Sequence, residues 1–284
     1  MEYTNSKNCI DNTYILNLMK INHFIIQFLI FTVTPCCALL VVAQSSSVPY
    51  GDNPKAGKYA QINGIKMYYE TYGSGQPLVM FHGNGGSINA FVHQIPFFEK
   101  HYQVIAIDSR LHGKSEGSAD TLSYEMMAAD FACLLDHLKI DSAYILGWSD
   151  GGNEGIILAM NYPKKVRKLA ISGANIVPDT TALYPADLEG MWNKINDLTS
   201  TVRVKTLNRM MIFQPQIPYS ALSKISCPTL VIAGDRDMIR PEHTLKIFQS
   251  IPKASLCIFP NSYHHVCQQH PQLFNEAVLA FFEK

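Results

Sequence analysis

From Tyr59 onward the chain alternates two apolar patterns. Short runs in which nearly every position is apolar stand at 78–81, 103–107, 143–147, 168–173, 229–233 and 255–259. Longer stretches with apolar residues at helical spacing lie between them, among them 123–138 and 153–161, and Ala277 to Phe282 reads as a closing amphipathic helix. Runs that short and that continuously apolar predict strands buried on both faces, and their alternation with helices predicts an α/β fold: a mostly parallel, doubly wound sheet with helices on both faces. Ahead of them, 59–72 alternates like a hairpin, with Asn63-Gly64 as its turn signal. In such a sheet ligands bind outside the carboxyl ends of the strands. The residues that follow each apolar run are therefore where chemistry is expected.

Two stretches break the pattern. Asn175 to Ser226 joins two expected strands with more chain than one crossover needs, and it carries Trp192, Met210, Met211, Phe213 and Tyr219. At the other end, Phe24 to Ala43 is an almost unbroken apolar run with Lys20 before it, Val41-Val42-Ala43 at its exit and Gln44-Ser45-Ser46-Ser47 after it. A positive flank, an apolar stretch and small residues at the exit describe a signal peptide. The run is also about the ~20 residues that a membrane span needs, so an uncleaved anchor is the alternative. Residues 1–44 are then an N-terminal extension with Met1 or Met19 as the start, 45–58 a linker rich in Ser, Gly and Pro, and 59–284 the folded domain.

The strand ends carry reactive groups in a telling order. After 143–147 comes Trp148-Ser149-Asp150-Gly151-Gly152, so that Gly147, Ser149 and Gly151 form G-x-S-x-G between a strand and a helix. That arrangement is a nucleophile elbow, in which a strained turn lifts one serine hydroxyl above the sheet edge. A serine hydroxyl needs a base, a group to orient the base, and donors for a developing oxyanion. After 78–81 stands His82-Gly83-Asn84-Gly85-Gly86-Ser87, whose glycines let main-chain N–H groups approach a substrate oxygen. After 229–233 stands Gly234-Asp235-Arg236-Asp237, with two candidate carboxylates. After 255–259 stands Ser262-Tyr263-His264-His265, with two candidate bases.

From Tyr59 to Phe282 these motifs, in this order, resemble the α/β-hydrolase superfamily. Asp108-Ser109-Arg110-Leu111-His112-Gly113-Lys114-Ser115 is similar to the family's D-x-R-G-H-G-x-S stretch, with Leu111 where glycine is usual. His264 stands seven residues before Pro271, as in the family's closing motif, with Tyr263 in place of a common glycine and Gln269 where an acid is usual. The Gly-Trp-Ser-Asp-Gly-Gly elbow is similar to valacyclovir-hydrolase-like and bromoperoxidase-like esterases. The resemblance implies Ser149 as nucleophile, His264 as base with His265 as second candidate, and Asp237 as orienting acid, Asp235 then being a turn former. It implies main-chain N–H groups of Asn84 and Asp150 as oxyanion donors, and a small cap at about 175–226. Asp150, Trp148, Met211 and Phe213 are candidate substrate contacts. Asp150 reads either as a first-turn partner of the helix dipole or as counter-ion to a cationic substrate group. His82 is expected to support the oxyanion turn, and Asp108 and Arg110 to hold loops. The implied activity is a metal-free, cofactor-free serine hydrolase of small carboxylic esters or thioesters. Perhydrolase, acyltransferase, amidase or C–C hydrolase chemistry on the same groups, or a non-catalytic ligand receptor, stand as alternatives.

Composition adds limits. The 284 residues, 47% hydrophobic and 16% charged, suit one domain with a large core. Lys+Arg 23 balances Asp+Glu 23, which gives no reason to expect a nucleic-acid partner. A membrane partner is expected only if the apolar run stays uncleaved. Gly113-Lys114-Ser115 lacks the earlier glycine of a phosphate loop, and no H-E-x-x-H or paired C-x-x-C points to zinc. Export would permit disulfides. Cys133, Cys227, Cys257 and Cys267 nevertheless read as buried thiols, with a Cys257–Cys267 bridge as the alternative.

Overall fold

A computed structural model describes residues 48–118 and 120–284. The expected signal or anchor segment, the two possible starts and the opening of the linker lie outside the described residues. Eight strands form one sheet: β1 (Gly57–Ile62), β2 (Ile65–Tyr72), β3 (Pro77–Phe81), β4 (Gln103–Ile107), β5 (Ala143–Trp148), β6 (Val166–Ser172), β7 (Thr229–Gly234) and β8 (Ala254–Phe259). Their spatial order is β1-β2-β4-β3-β5-β6-β7-β8. The first two pairings are antiparallel and all the rest parallel. The β1–β2 hairpin turns at Asn63 and Gly64, both at positive φ, as a two-residue primed turn requires.

Along each central strand the side chains alternate between two cores. Val79, Phe81, Ile105, Ile107, Ile145 and Ile171 enter one apolar cluster, while Leu78, Met80, Val104, Ala106, Leu146 and Ala170 enter the other. That is the period of two written across a sheet covered on both faces, and it is why these strands read as unbroken apolar runs. One face is covered by α2 (Tyr124–His137) and α3 (Asp150–Asn161), with Phe81 stacked on Phe131 at 3.9 Å. The other face is covered by the short α1 (Ile95–Phe98) and by the C-terminal helix Pro271–Glu283, longer than the expected 277–282 because it starts at a proline that suits the first helical turn.

The compact unit begins at Val48, not at Tyr59. The linker expectation fails over 48–56 because Glu70, fully buried in β2, accepts the main-chain N–H groups of Gly51 and Asn53, both at 2.8 Å, and the hydroxyls of Tyr68 and Tyr72 at 2.7 and 2.8 Å. A buried carboxylate needs such partners, and here two of the four come from the segment read as a linker.

The insertion after β6 holds α4 (Pro185–Asn196) and α5 (Val202–Phe213), followed by a 3₁₀ turn at Tyr219–Lys224. Both stems of this cap meet His243, on the helix Pro241–Ser250 (α6). Its Nε2 accepts the Ile176 N–H at 3.1 Å and its Nδ1 bonds the Tyr219 hydroxyl at 2.6 Å. A short α7 (Val266–Gln269) and α8 (Pro271–Glu283) close the chain. The four described cysteines are free, Cys257 and Cys267 included. Among the described residues no helix is long and apolar enough to cross a membrane.

Burial holds three histidines neutral. It pushes His243 and His112 down to about 4 and His82 to about 3. A histidine whose folded pKa is depressed contributes stability that is present above its unfolded value, near 6.5, and lost as pH falls toward the folded one. Thermal stability should therefore hold from pH 8 to about 7 and fall between pH 6.5 and 4. His243→Gln should flatten that fall. An equal slope in parent and variant, followed by thermal melts across the range, would remove His243 from the account.

Candidate active site

The sheet delivers four loops to one edge. The elbow loop is fixed by glycines on both sides of Ser149. A Cβ on Gly147 would lie 2.1 Å from the Gly151 carbonyl oxygen, and one on Gly151 would lie 2.0 Å from that of Phe81. Both distances are impossible, so the turn packs α3 directly onto β3 and β5. Ser149 itself sits at φ 57 and ψ −122, a strained conformation for a residue with a side chain. Its N–H donates to the Ser172 carbonyl at 2.8 Å.

His264, in the loop after β8, meets Ser149 Oγ through Nε2 at 2.8 Å and Asp237 Oδ1 through Nδ1 at 2.7 Å. A carboxylate only accepts, so Nδ1 carries the proton on the Asp237 side and Nε2 is free to accept from the serine hydroxyl. Asp237 is 2% exposed, and the Ile239 N–H donates to its Oδ1 at 3.0 Å. The alternatives fall elsewhere. Asp235 is exposed and accepts the Ser262 N–H at 3.0 Å, and those main-chain donors hold its carboxyl below the usual range. His265 is exposed and its ring packs on Trp148 at 5.1 Å.

The main-chain N–H groups of Asn84 and Asp150 have no protein acceptor among the described residues. Their side chains are bonded to each other: Asn84 Nδ2 donates to Asp150 Oδ2 at 2.8 Å and approaches the Leu207 carbonyl of α5 at 3.4 Å. Burial pushes the Asp150 carboxyl up, while Asn84 and Tyr124 hold it down. Below the oxyanion turn, His82 accepts the Ser109 N–H at 3.1 Å and its other ring nitrogen bonds the Gly83 carbonyl at 2.8 Å. Asp108 accepts the N–H groups of Ile88 and Lys114, and Arg110 grips Asp130 through two nitrogens at 2.7 and 2.8 Å. These three residues hold loops, and none lines the space over Ser149. Leu111, standing where glycine is usual, takes the left-handed φ of 64.

A half-enclosed chamber of about 40 Å³ lies over the serine. Asp150, Asn175, Leu183, Met191, Met211, Met238 and Ile239 wall it, with Ser149 and His264 at one side. Two expected contacts are absent from it. Trp148 points to the opposite side of β5 from the serine: its indole N–H donates to the His264 carbonyl at 3.0 Å and its ring packs beside His264. It supports the histidine loop and does not meet substrate space. Phe213 is 57% exposed on the outer side of the cap, edge-on to Trp192. Two residues on an α-helix are about 200° apart, so with Met211 facing the chamber Phe213 must face away. The walls that the sequence reading missed are Asn175, Leu183, Met191, Met238 and Ile239. Met238 and Ile239 follow Asp237 directly, and Met191 with Ile195 forms the apolar i, i+4 stripe of α4, so both signals were present. Among the described residues no cluster of three or more His, Cys, Asp or Glu is placed to hold a metal.

Comparison with known proteins bears on the same elements. A family model described as the alpha/beta hydrolase fold matches residues 76–222. The mouse serine hydrolase BPHL is 24% identical, over 90% of this chain and 97% of its own. A 2-hydroxy-6-oxononadienedioate/2-hydroxy-6-oxononatrienedioate hydrolase from Burkholderia vietnamiensis is 28% identical, over 78% of this chain and 92% of its own. Among solved structures, a bromoperoxidase from Bacillus anthracis superposes with a TM-score of 0.72 at 23% identity, over 81% of this chain and 100% of its own.

Proposed function

The chain belongs to the α/β-hydrolase fold family and is a hydrolase, and from that premise we propose that it cleaves small carboxylic esters or thioesters through an acyl-enzyme on Ser149. One observation carries the reading: an unbroken hydrogen-bond chain from Ser149 Oγ through His264 to Asp237, at 2.8 and 2.7 Å, with the serine held at positive φ.

The chemistry follows from that chain. Ser149 Oγ bonds to the carbonyl carbon as its proton moves to His264 Nε2. The carbonyl oxygen takes the negative charge and lies toward the N–H groups of Asn84 and Asp150, whose fixed dipoles are worth more in a half-enclosed chamber than in water. The bond to the leaving oxygen breaks as Nε2 returns the proton to it. Water then repeats the sequence and frees Ser149. Asp237 keeps the imidazole in the working tautomer. The small chamber supports a short acyl group, because about 40 Å³ is room for only a few atoms. The apolar run at Phe24–Ala43 supports work outside the cytoplasm as part of this proposal.

A fluorophosphonate probe tests the nucleophile. The folded 45–284 protein should be labelled once, at Ser149, and should hydrolyse p-nitrophenyl acetate. Folded protein that is neither labelled nor active would sink the reading and favour a ligand receptor.

Asp150 gives a finer expectation. An ionised carboxylate beside a developing oxyanion is a cost for a neutral ester, and a cation on the acyl group offsets it. Buried, with its pKa pushed up, Asp150 gains most from such a partner. Asp150→Asn should then lower kcat/KM for aminoacyl esters about tenfold more than for neutral ones, the size of one charged hydrogen bond. Equal loss for both ester classes would remove the counter-ion role.

A further inference from the structure

The larger space at this sheet edge lies on the other side of His264. A cleft of about 420 Å³, open to solvent, is lined by Tyr184, Asp187, Arg236, Tyr263, His264 and His265. It shares His264 and Met238 with the small chamber over Ser149. The two spaces therefore flank the imidazole that must hand a proton to the leaving group. An ester with its acyl part in the small chamber can extend its alcohol part past His264 into this cleft, which is the larger of the two spaces that share the imidazole.

The cleft has a definite chemistry. Two tyrosines wall it, and Arg236 stands at its rim between the two aspartates of its turn. Both aspartates are committed: Asp235 to the Ser262 N–H and Asp237 to His264. The Arg236 main chain is fixed by its own N–H donating to the Ser262 carbonyl at 2.9 Å. Among the described residues no carboxylate lies within ion-pair distance of its guanidinium. A second guanidinium, that of Arg240, sits 5.0 Å from the Tyr184 ring. The opposing charges are Asp237, which also lines the cleft, and Asp187, on the first turn of α4. Asp237 is buried and Asp187 half-buried, whereas Arg236 is exposed, so the acids hold the inner end and the guanidinium the rim. An anion entering here is repelled from the inner end and drawn to the rim. A free guanidinium takes a carboxylate through two parallel hydrogen bonds, and flat rings stack on tyrosine.

Resting on the serine-hydrolase reading above, we propose that this cleft is the leaving-group subsite and that Arg236 selects aromatic leaving groups bearing a carboxylate. The acyl-transfer step is unchanged: the phenolic oxygen that departs receives its proton from His264 Nε2, and the carboxylate stays ionised on Arg236.

Two acetate esters of nearly equal shape test it, 4-acetoxybenzoate and phenyl acetate, with Ser149 labelling by fluorophosphonate as the control for an intact site. Differences in intrinsic reactivity cancel when the ratio of their kcat/KM values is compared between proteins. Arg236→Gln should lower the charged-to-neutral ratio about tenfold, mainly through KM for 4-acetoxybenzoate, as expected for one charged hydrogen-bond pair. Arg236→Lys, which keeps the charge but not the fork, should fall between. Asp187→Asn should raise the ratio. Labelled, active protein whose ratio is the same in parent and Arg236→Gln overturns the subsite and leaves the hydrolase reading standing. Folded parent that neither labels nor turns over either ester overturns both.

Discussion

Replacing Ser149 with alanine is expected to lower kcat on p-nitrophenyl acetate by about 10⁴-fold or more, with melting temperature nearly unchanged. The first half follows from the uniqueness of the contact. Among the described residues His264 Nε2 has one hydrogen-bond partner, Ser149 Oγ at 2.8 Å. With that oxygen gone the imidazole has no nucleophile to activate, and only water and the oxyanion donors remain. Losing one member of a unit that acts together costs nearly as much as losing all of it. The second half follows from what alanine keeps. The strained φ of 57 is imposed by Gly147 and Gly151 packing around the turn, and Ser149 anchors it through main-chain bonds to Ser172, Gly152 and Asn153. Those bonds survive, so the change in stability should stay within about 1 kcal/mol, the worth of one side-chain hydrogen bond. Steady-state kinetics and a thermal melt on the same preparation check both. Activity within tenfold of the parent would remove Ser149 as the nucleophile.

How much of this was legible beforehand depended on whether a feature is local. The strands β3 to β7 could be read because burial on both faces writes itself as unbroken apolar sequence; β8, equally apolar in sequence, is instead an edge strand that leaves Leu256 and Ile258 exposed. The elbow could be read because its glycines stand at a fixed spacing of two residues either side of Ser149, although the contacts that demand them are with Gly151 and with Phe81 of β3. The choice of His264 over His265 rested on its distance from Pro271, and the structure sets only His264 against Ser149. What could not be read depends on how separate segments dock. The chamber walls come from four stretches, around Asn175, around Leu183 and Met191, at Met211, and at Met238-Ile239, which meet only when the cap seats. Helical phase relative to the core separated Met211 from Phe213, and the side of β5 that faces the serine separated it from Trp148. Neither phase is written in the residues themselves. Glu70 is the same lesson at the other end of the chain. A lone glutamate in a strand reads as solvent-facing, and its four donors come partly from a segment that composition marks as a linker.

Docking also decides between the two aspartates, which stand two residues apart, and it makes Asp237→Asn the second large effect. The carboxylate does two things for His264: it accepts the Nδ1 proton at 2.7 Å and it fixes the ring through a loop pinned by the Ile239 N–H. Asparagine preserves the shape but can present its amide N–H to the ring. The imidazole then carries its proton on Nε2, where it cannot accept from Ser149. A wrong tautomer in an intact frame is expected to lower kcat by about 10⁴-fold at neutral pH with little change in KM. Asp235→Asn should do the reverse. That side chain reaches no catalytic atom, and its oxygen bonds only the turn that carries Ser262, so turnover should stay within about tenfold, the loss of one oriented contact, and thermal stability should drop modestly. Main-chain donors hold the Asp235 carboxyl below its ordinary range. Its contribution to stability is thus present above the unfolded carboxylate value and disappears as pH falls through the folded one, a window well below that of the buried histidines. Measuring kcat and melting temperature for the two variants side by side separates the roles. A collapse of turnover in Asp235→Asn with Asp237→Asn near normal would exchange them, and would mean that the loop after β7 moves before catalysis.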